Sequence, residues 1–310
     1  MKNINRMIKR LALVLLGLVA AFNMYAQNEP IIAHFMYHTH IFNPAVSGNT
    51  RDIYLGAMAR QQWVGYKEAP STQLLDAYGY INKIRGGVGL VIVNDMLGKQ
   101  RNTSVRVSYA YSQRINDRTR ISLGLAVGML NTGLRGSELR YQQENDQSGI
   151  YTNQNRFKAY LNLGLELYAY GFTAGFSVSN LEQSLDKSTV FKLPRHYFGY
   201  VKYDWNINEK VSFNPGVFVR SSGFATQAEI NLNATFKKRV TAGIFYRTVD
   251  AAGVLLGVHA TKHLFISYAY DFDFGKMSQH QTGSHELNLV YRFDGLKEKK
   301  TFYKSSRYIN

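Results

Sequence analysis

Three histidines, His34, His38 and His40, fall close together near the start of the chain, at a spacing that lets two imidazoles reach one metal ion. No carboxylate accompanies them in the sequence and no second half of a ligand set follows, so no metal is expected there. His259 and His263 sit on either side of a turn, where a cross-strand or interfacial pair accounts for them. Asp271 and Asp273 in the stretch DFDFG resemble a cation-binding loop only in their letters, since an oxygen cage for calcium needs several more ligands at fixed spacing. The same letters echo a kinase signature whose other elements are missing. The sequence has no G-x-S-x-G stretch, no paired nucleophile and base, and no cysteine. Disulfides, thiolate metal sites and a lipidated cysteine are thereby excluded, and the expectation is a protein that is not an enzyme and carries no cofactor.

Another set of residues has types that a strand does not require. In FNPAVSG, residues 42 to 48, the proline biases Asn43 away from the helical basin and Gly48 offers a tight-turn position, so Asn43, Pro44 and Gly48 mark a rigid bend. In RQQWVG, residues 60 to 65, Arg60, Gln61, Gln62 and Trp63 stand at the end of one expected strand, and APSTQ at 69 to 73 opens the next. One reading makes Trp63 an interfacial aromatic and Arg60 an inward charge paired with an acid. The other has Arg60, Gln62 and Trp63 hold the N-terminal segment or line a barrel.

The elements that must position these residues follow from the rest of the chain. Lys2, Arg6, Lys9 and Arg10 precede an uncharged apolar run from Leu11 to Ala21, and Ala26-Gln27 suits cleavage. Residues 1–26 are therefore expected to be a secretory signal peptide. Without them Lys plus Arg falls from 37 to 33 against 21 acids, a mature charge of +12. For an exported chain this surplus faces lipopolysaccharide, anionic lipid and envelope proteins, and no nucleic acid partner is expected. No later segment reaches the 18 or so apolar residues of a membrane helix.

The hydrophobic period is two. In LFISYAYDF, Leu264, Ile266, Tyr268 and Tyr270 alternate with Phe265, Ser267, Ala269 and Asp271; HELNLVYRF and TRISLGLAVGML behave alike. Fourteen such segments occur, at about 52–62, 71–81, 86–95, 102–114, 119–131, 156–169, 170–180, 195–205, 210–220, 225–236, 239–247, 250–259, 262–271 and 282–293. Their length suits tilted strands that cross a bilayer. Every second connection is short, whereas 63–70, 132–155, 181–194 and 272–281 are long and polar. The 22 tyrosines and 18 phenylalanines, several at strand ends, suit aromatic girdles. The expected fold is all-β, a transmembrane antiparallel β-barrel of about 14 strands in the outer membrane, with both termini in the periplasm. The expected division is 27–51 as a periplasmic or lumen-plugging segment, 52–293 as the barrel and 294–310 as a basic periplasmic tail.

FNPAVSG soon after the leader, RQQWVG with APSTQ, and GSHELNLVYRF as the closing strand together resemble the PorP/SprF family of the type IX secretion system, from about residue 35 to Phe293. The resemblance implies an outer-membrane barrel that assists export of adhesins and enzymes and attaches cargo with C-terminal sorting domains at the cell surface. It also implies a link to a periplasmic peptidoglycan-binding lipoprotein, with the translocation pore formed by a different protein. On this reading the loops 132–155 and 181–194 contact cargo. The alternative is a passive or fatty-acid-type diffusion channel, since a plugged fourteen-stranded barrel describes that fold as well.

Overall fold

The computed structural model describes residues 30–139, 149–184, 194–223, 225–248, 251–274 and 281–293. The expected leader at 1–26 and tail at 294–310 lie outside the described residues, as do parts of the loops expected to meet cargo.

Alternation decides the architecture. The strands are β1 (Ile53–Gln61), β2 (Ser71–Ile81), β3 (Gly86–Leu97), β4 (Gln100–Asn116), β5 (Thr119–Arg135), β6 (Asn153–Ala169), β7 (Phe172–Ser179) and β8 (His196–Tyr203). A two-residue piece, β9 (Trp205–Asn206), continues β8, and β10 (Val211–Ser221), β11 (Thr226–Phe236), β12 (Val240–Arg247), β13 (Ala251–His259), β14 (Leu264–Asp273) and β15 (Ser284–Phe293) follow. Each strand pairs antiparallel with its sequence neighbour and β1 pairs with β15, so the sheet closes as a fourteen-stave barrel. Closure removes every edge, and in a bilayer it satisfies the backbone polar groups that lipid cannot.

Polarity is reversed relative to a water-soluble barrel. In β5, Leu123, Leu125, Val127 and Met129 are exposed on the outer wall, whereas Ser122 and Ala126 are buried inside. In β15, Glu286 and Asn288 are buried while Leu287 and Leu289 face outward. Polar residues inside and apolar residues outside are what lipid around the wall and a packed lumen require.

All connections at one end are short: residues 82–85, 117–118, 170–171, 207–210, 237–239 and 260–263. Three of them use left-handed backbone at non-glycine residues: Lys237 and Lys238 in one, Arg85 in another and Tyr170 in a third. The other end carries the longer loops. β4, β5 and β6 each run 17 residues, longer than the apolar alternation predicts, with β5 and β6 paired up to Arg135 and Asn153. Their outer parts carry Asn131, Thr132, Asn155 and Arg156. A hydrogen-bonded ladder continues there without an apolar face, so hydropathy understates its length.

The chain before β1 occupies the lumen. From Ile32 to Gly48 all residues but Met36 and Tyr37 are buried, including Phe35, Phe42, Asn43 and all three N-terminal histidines. Ile53 starts β1 at the short-turn end, but Pro30 lies beside Arg220, one residue from the far end of β10, its carbonyl 3.3 Å from the guanidinium. The two termini, expected in the periplasm, lie outside the described residues. The plug descends the lumen from the long-loop end before the chain turns back into the wall.

Candidate functional site

The plug is the centre of the molecule, and two kinds of chemistry hold it. Its lower half is the stretch FNPAVSG. Asn43 is extended, as a pre-proline residue must be, and its side chain accepts from the Ala45 amide at 3.0 Å, capping a short 3₁₀ turn, Pro44–Gly48. The Asn43 amide donates to the Leu165 carbonyl at 2.9 Å and to the Tyr200 hydroxyl at 3.1 Å. Phe42 enters a pocket of wall aromatics, its ring centroid 4.7 Å from Phe218 and 5.1 Å from Phe198.

The wall beneath this turn is made of small residues in one hydrogen-bonded row. Gly87 pairs with Ala110, Ala110 with Gly124, Gly124 with Gly164 and Gly164 with Ser177, across β3 to β7. The turn lies along that row. A Cβ at Gly87 would stand 1.7 Å from the Ser47 carbonyl oxygen, one at Gly124 2.3 Å from the Ala45 nitrogen, and one at Gly164 1.9 Å from the Asn43 side-chain oxygen. At the end of the row the Ser177 hydroxyl donates to the Phe42 carbonyl at 2.7 Å. Glycine is needed here for close approach of two backbones, a stronger requirement than barrel curvature.

The upper half is held by charge. Glu286 on β15 accepts from the amides of Ala33 and His34 at 2.8 and 2.9 Å, and the His34 ring approaches the same carboxylate at 2.5 Å. His38 bonds Asn288 at 2.7 Å; His40 bonds Asp76 at 2.6 Å through one ring nitrogen and Ser108 at 2.8 Å through the other. His38 also comes within 3.8 Å of Asp76, so His38 and His40 share that carboxylate while His34 has Glu286; among the described residues no group of three or more His, Asp or Glu is arranged to hold a metal.

Arg60 lies inside this upper layer. Its guanidinium reaches Asp271 at 2.7 Å and Glu286 at 3.2 Å, all three fully buried. Arg247 continues the network, 3.2 Å from Asp271 and 2.8 Å from Glu229. Arg60 therefore meets the plug through Glu286. Gln61, Gln62 and Trp63 stand above it at the rim: the Gln61 side chain donates to the Pro70 carbonyl at 3.3 Å, and the Gln62 amide to the same oxygen at 2.9 Å. Trp63, in left-handed backbone, donates its amide to Ser284 at 3.2 Å.

Sequence reasoning missed Asp76, Glu166, Glu229 and Glu286 as plug-side groups. Each is a charged residue on the inward, non-apolar face of an alternating strand, and that position was the available signal. Glu166, for instance, accepts from Asn49 in the plug and from the Tyr200 hydroxyl.

The filled lumen leaves little space. Two cavities that border the plug, one beside Ile32 and Phe218 and one beside His40 and Pro44, each hold about 10 Å³, no more than one water. No helix among the described residues is long and apolar enough to cross a membrane, and the crossing is made by strands.

Comparisons with known proteins give a family and a structure of similar fold. A family model described as type IX secretion system membrane protein PorP/SprF matches residues 24–291. Among solved structures, the Ralstonia pickettii toluene transporter TbuX is similar in fold, with a TM-score of 0.50 and 10% identity over 83% of this chain and 93% of that one. The Acinetobacter baumannii outer membrane protein Omp33 aligns with a TM-score of 0.49 and 8% identity, covering 78% of this chain and 98% of that one. A Pseudomonas aeruginosa FadL homologue aligns with a TM-score of 0.45 and 9% identity over 81% and 92%. No curated protein sequence matches.

Proposed function

Because the chain belongs to the PorP/SprF family of type IX secretion system membrane proteins, and is an outer-membrane β-barrel, we propose that it acts as a non-enzymatic, non-conducting anchor in that system. It assists export and cell-surface attachment of cargo with C-terminal sorting domains, adhesins among them, and links to a periplasmic peptidoglycan-binding lipoprotein. The observation that carries this reading is the plug: a lumen filled from Pro30 to Asn49 and tied to the wall by buried charges and a glycine row suits a docking body better than a conduit. With the interior occupied, partners are left the rim and loops, where Gln61, Gln62 and Trp63 stand, and the short-turn face. Outer-membrane lipid and lipopolysaccharide contact the apolar outer wall.

The test is gentle affinity purification of the tagged barrel from native outer membranes, with co-purifying proteins identified by mass spectrometry. Near-stoichiometric recovery of a large surface protein with a C-terminal sorting domain, or of a periplasmic peptidoglycan-binding lipoprotein, is the expected result. A barrel that emerges alone and transports small apolar solutes would replace this reading with the diffusion channel.

A further inference from the structure

Below the plug, the short-turn mouth of the barrel keeps an open cavity of about 200 Å³. Its lining includes Arg51, Arg85, Arg114 and Arg120 with Tyr80 and Ser112, and among the described residues no acidic side chain. Four guanidinium groups lining one small space give it a positive potential that favours an anion. Local contacts orient three of them: Arg114 pairs with Asp117 at 2.5 Å, Arg120 donates to the Asn49 carbonyl, and Arg51 lies 4.8 Å from the Tyr80 ring centroid. Arg85 has no ion pair among the described residues. It sits in left-handed backbone, φ 49°, a conformation that glycine or asparagine adopts at less cost.

We propose that this mouth is a binding site for a phosphate group. Arginine forks match phosphate oxygens in pairs, and several guanidiniums around one cavity favour a group of more than one negative charge over a single carboxylate. The mouth opens where the inner-leaflet headgroups meet the periplasm, so the phosphate comes either from a soluble ester or from a phospholipid headgroup. The inference rests on the cavity alone and is independent of the cargo reading.

The full barrel is titrated with inorganic phosphate by calorimetry, and native mass spectrometry scores phosphatidylglycerol retained after release from nanodiscs of that lipid. Saturable phosphate binding identifies a soluble source; retained lipid without phosphate binding identifies the headgroup. Either signal is expected to weaken at least tenfold in Arg85→Gln/Arg114→Gln. Arg85→Gln alone, which breaks no ion pair among the described residues, is expected to weaken it several-fold, and heat-modifiable mobility reports that both variants fold. Absence of both signals, or signals unchanged in the double variant, overturns the proposal. So does binding of a hexaglutamate peptide without any phosphate response, which would assign the mouth to an acidic protein segment.

Discussion

The two halves of the plug are held by opposite means. Around Ala33 to His40 the wall supplies Glu286, Asn288 and Asp76, and the contacts are charged and directional. From Asn43 to Gly48 the wall supplies Gly87, Gly124 and Gly164, and the main contact is close backbone approach, joined by the uncharged hydrogen bonds of Asn43 to Leu165 and Tyr200. A charged layer is sensitive to removal of one partner, because the remaining charges are left buried; a glycine row is sensitive only to added volume. The lesson is that one segment can be tied at two levels that fail for different reasons, so the levels can be separated by experiment.

The largest effect is expected from Glu286→Ala. It removes the acceptor for two plug amides, the His34 ring and Arg60, and breaking such a buried set costs roughly 3–5 kcal/mol. Hydrogen exchange at residues 33–40 should accelerate by about a thousandfold, given roughly 1.4 kcal/mol per factor of ten, while residues 43–48 keep most of their protection. Equal loss in both halves would show that the plug is one cooperative unit.

Gly124→Val attacks the other half. The added methyls meet the Pro44–Ala45 backbone, and overpacking of this kind costs about 1–3 kcal/mol. Proteolysis or exchange should then report opening at residues 43–48 with the histidine layer still protected, and the barrel itself should remain heat-modifiable. An undisturbed lower half would remove the glycine row from the account.

Asn43→Ala is the milder version. It deletes the cap of the 3₁₀ turn and the bonds to Leu165 and Tyr200, a loss of about 2 kcal/mol by the usual worth of a cap and a hydrogen bond. The same exchange measurement should show a change of roughly tenfold or more, confined to the lower half.

The smallest effect lies outside both halves, at the rim. Lys99 reaches Glu138 at 2.8 Å; this hydrogen bond holds the Glu138 carboxyl below its usual range and the Lys99 ammonium above its own. The contribution of Glu138 is therefore present above the ordinary glutamate range and lost as pH falls through its lowered value. That of Lys99 is present below the ordinary lysine range and lost as pH rises through its raised value. Melting curves of Glu138→Gln and the native barrel should differ slightly at neutral pH and converge in acid.

Much of the wall was legible because lipid imposes a simple rule on every strand. Leu123, Leu125 and Val127 alternate with Ser122, Gly124 and Ala126 whatever the neighbours are, and the short turns fall at every second connection. The bend at Asn43-Pro44 was legible for a local reason, the restriction that proline places on the preceding residue. The site it builds was not, because its partners lie far along the chain: Gly164 is matched to Asn43 and Glu286 to His34 only once the barrel closes. The histidines looked like an incomplete metal set because their carboxylate and amide partners are on β2 and β15. The length of β5 and β6 escaped hydropathy because a ladder in water needs no apolar face.

The central claim, that the plug seals the lumen by two separable ties, is tested most directly by single-channel conductance of the purified barrel in planar bilayers. The native protein should stay closed, Glu286→Ala and Gly124→Val should flicker, and the variant carrying both substitutions should open stably. Stable conductance of the native barrel, or a double variant that remains closed, would contradict the account.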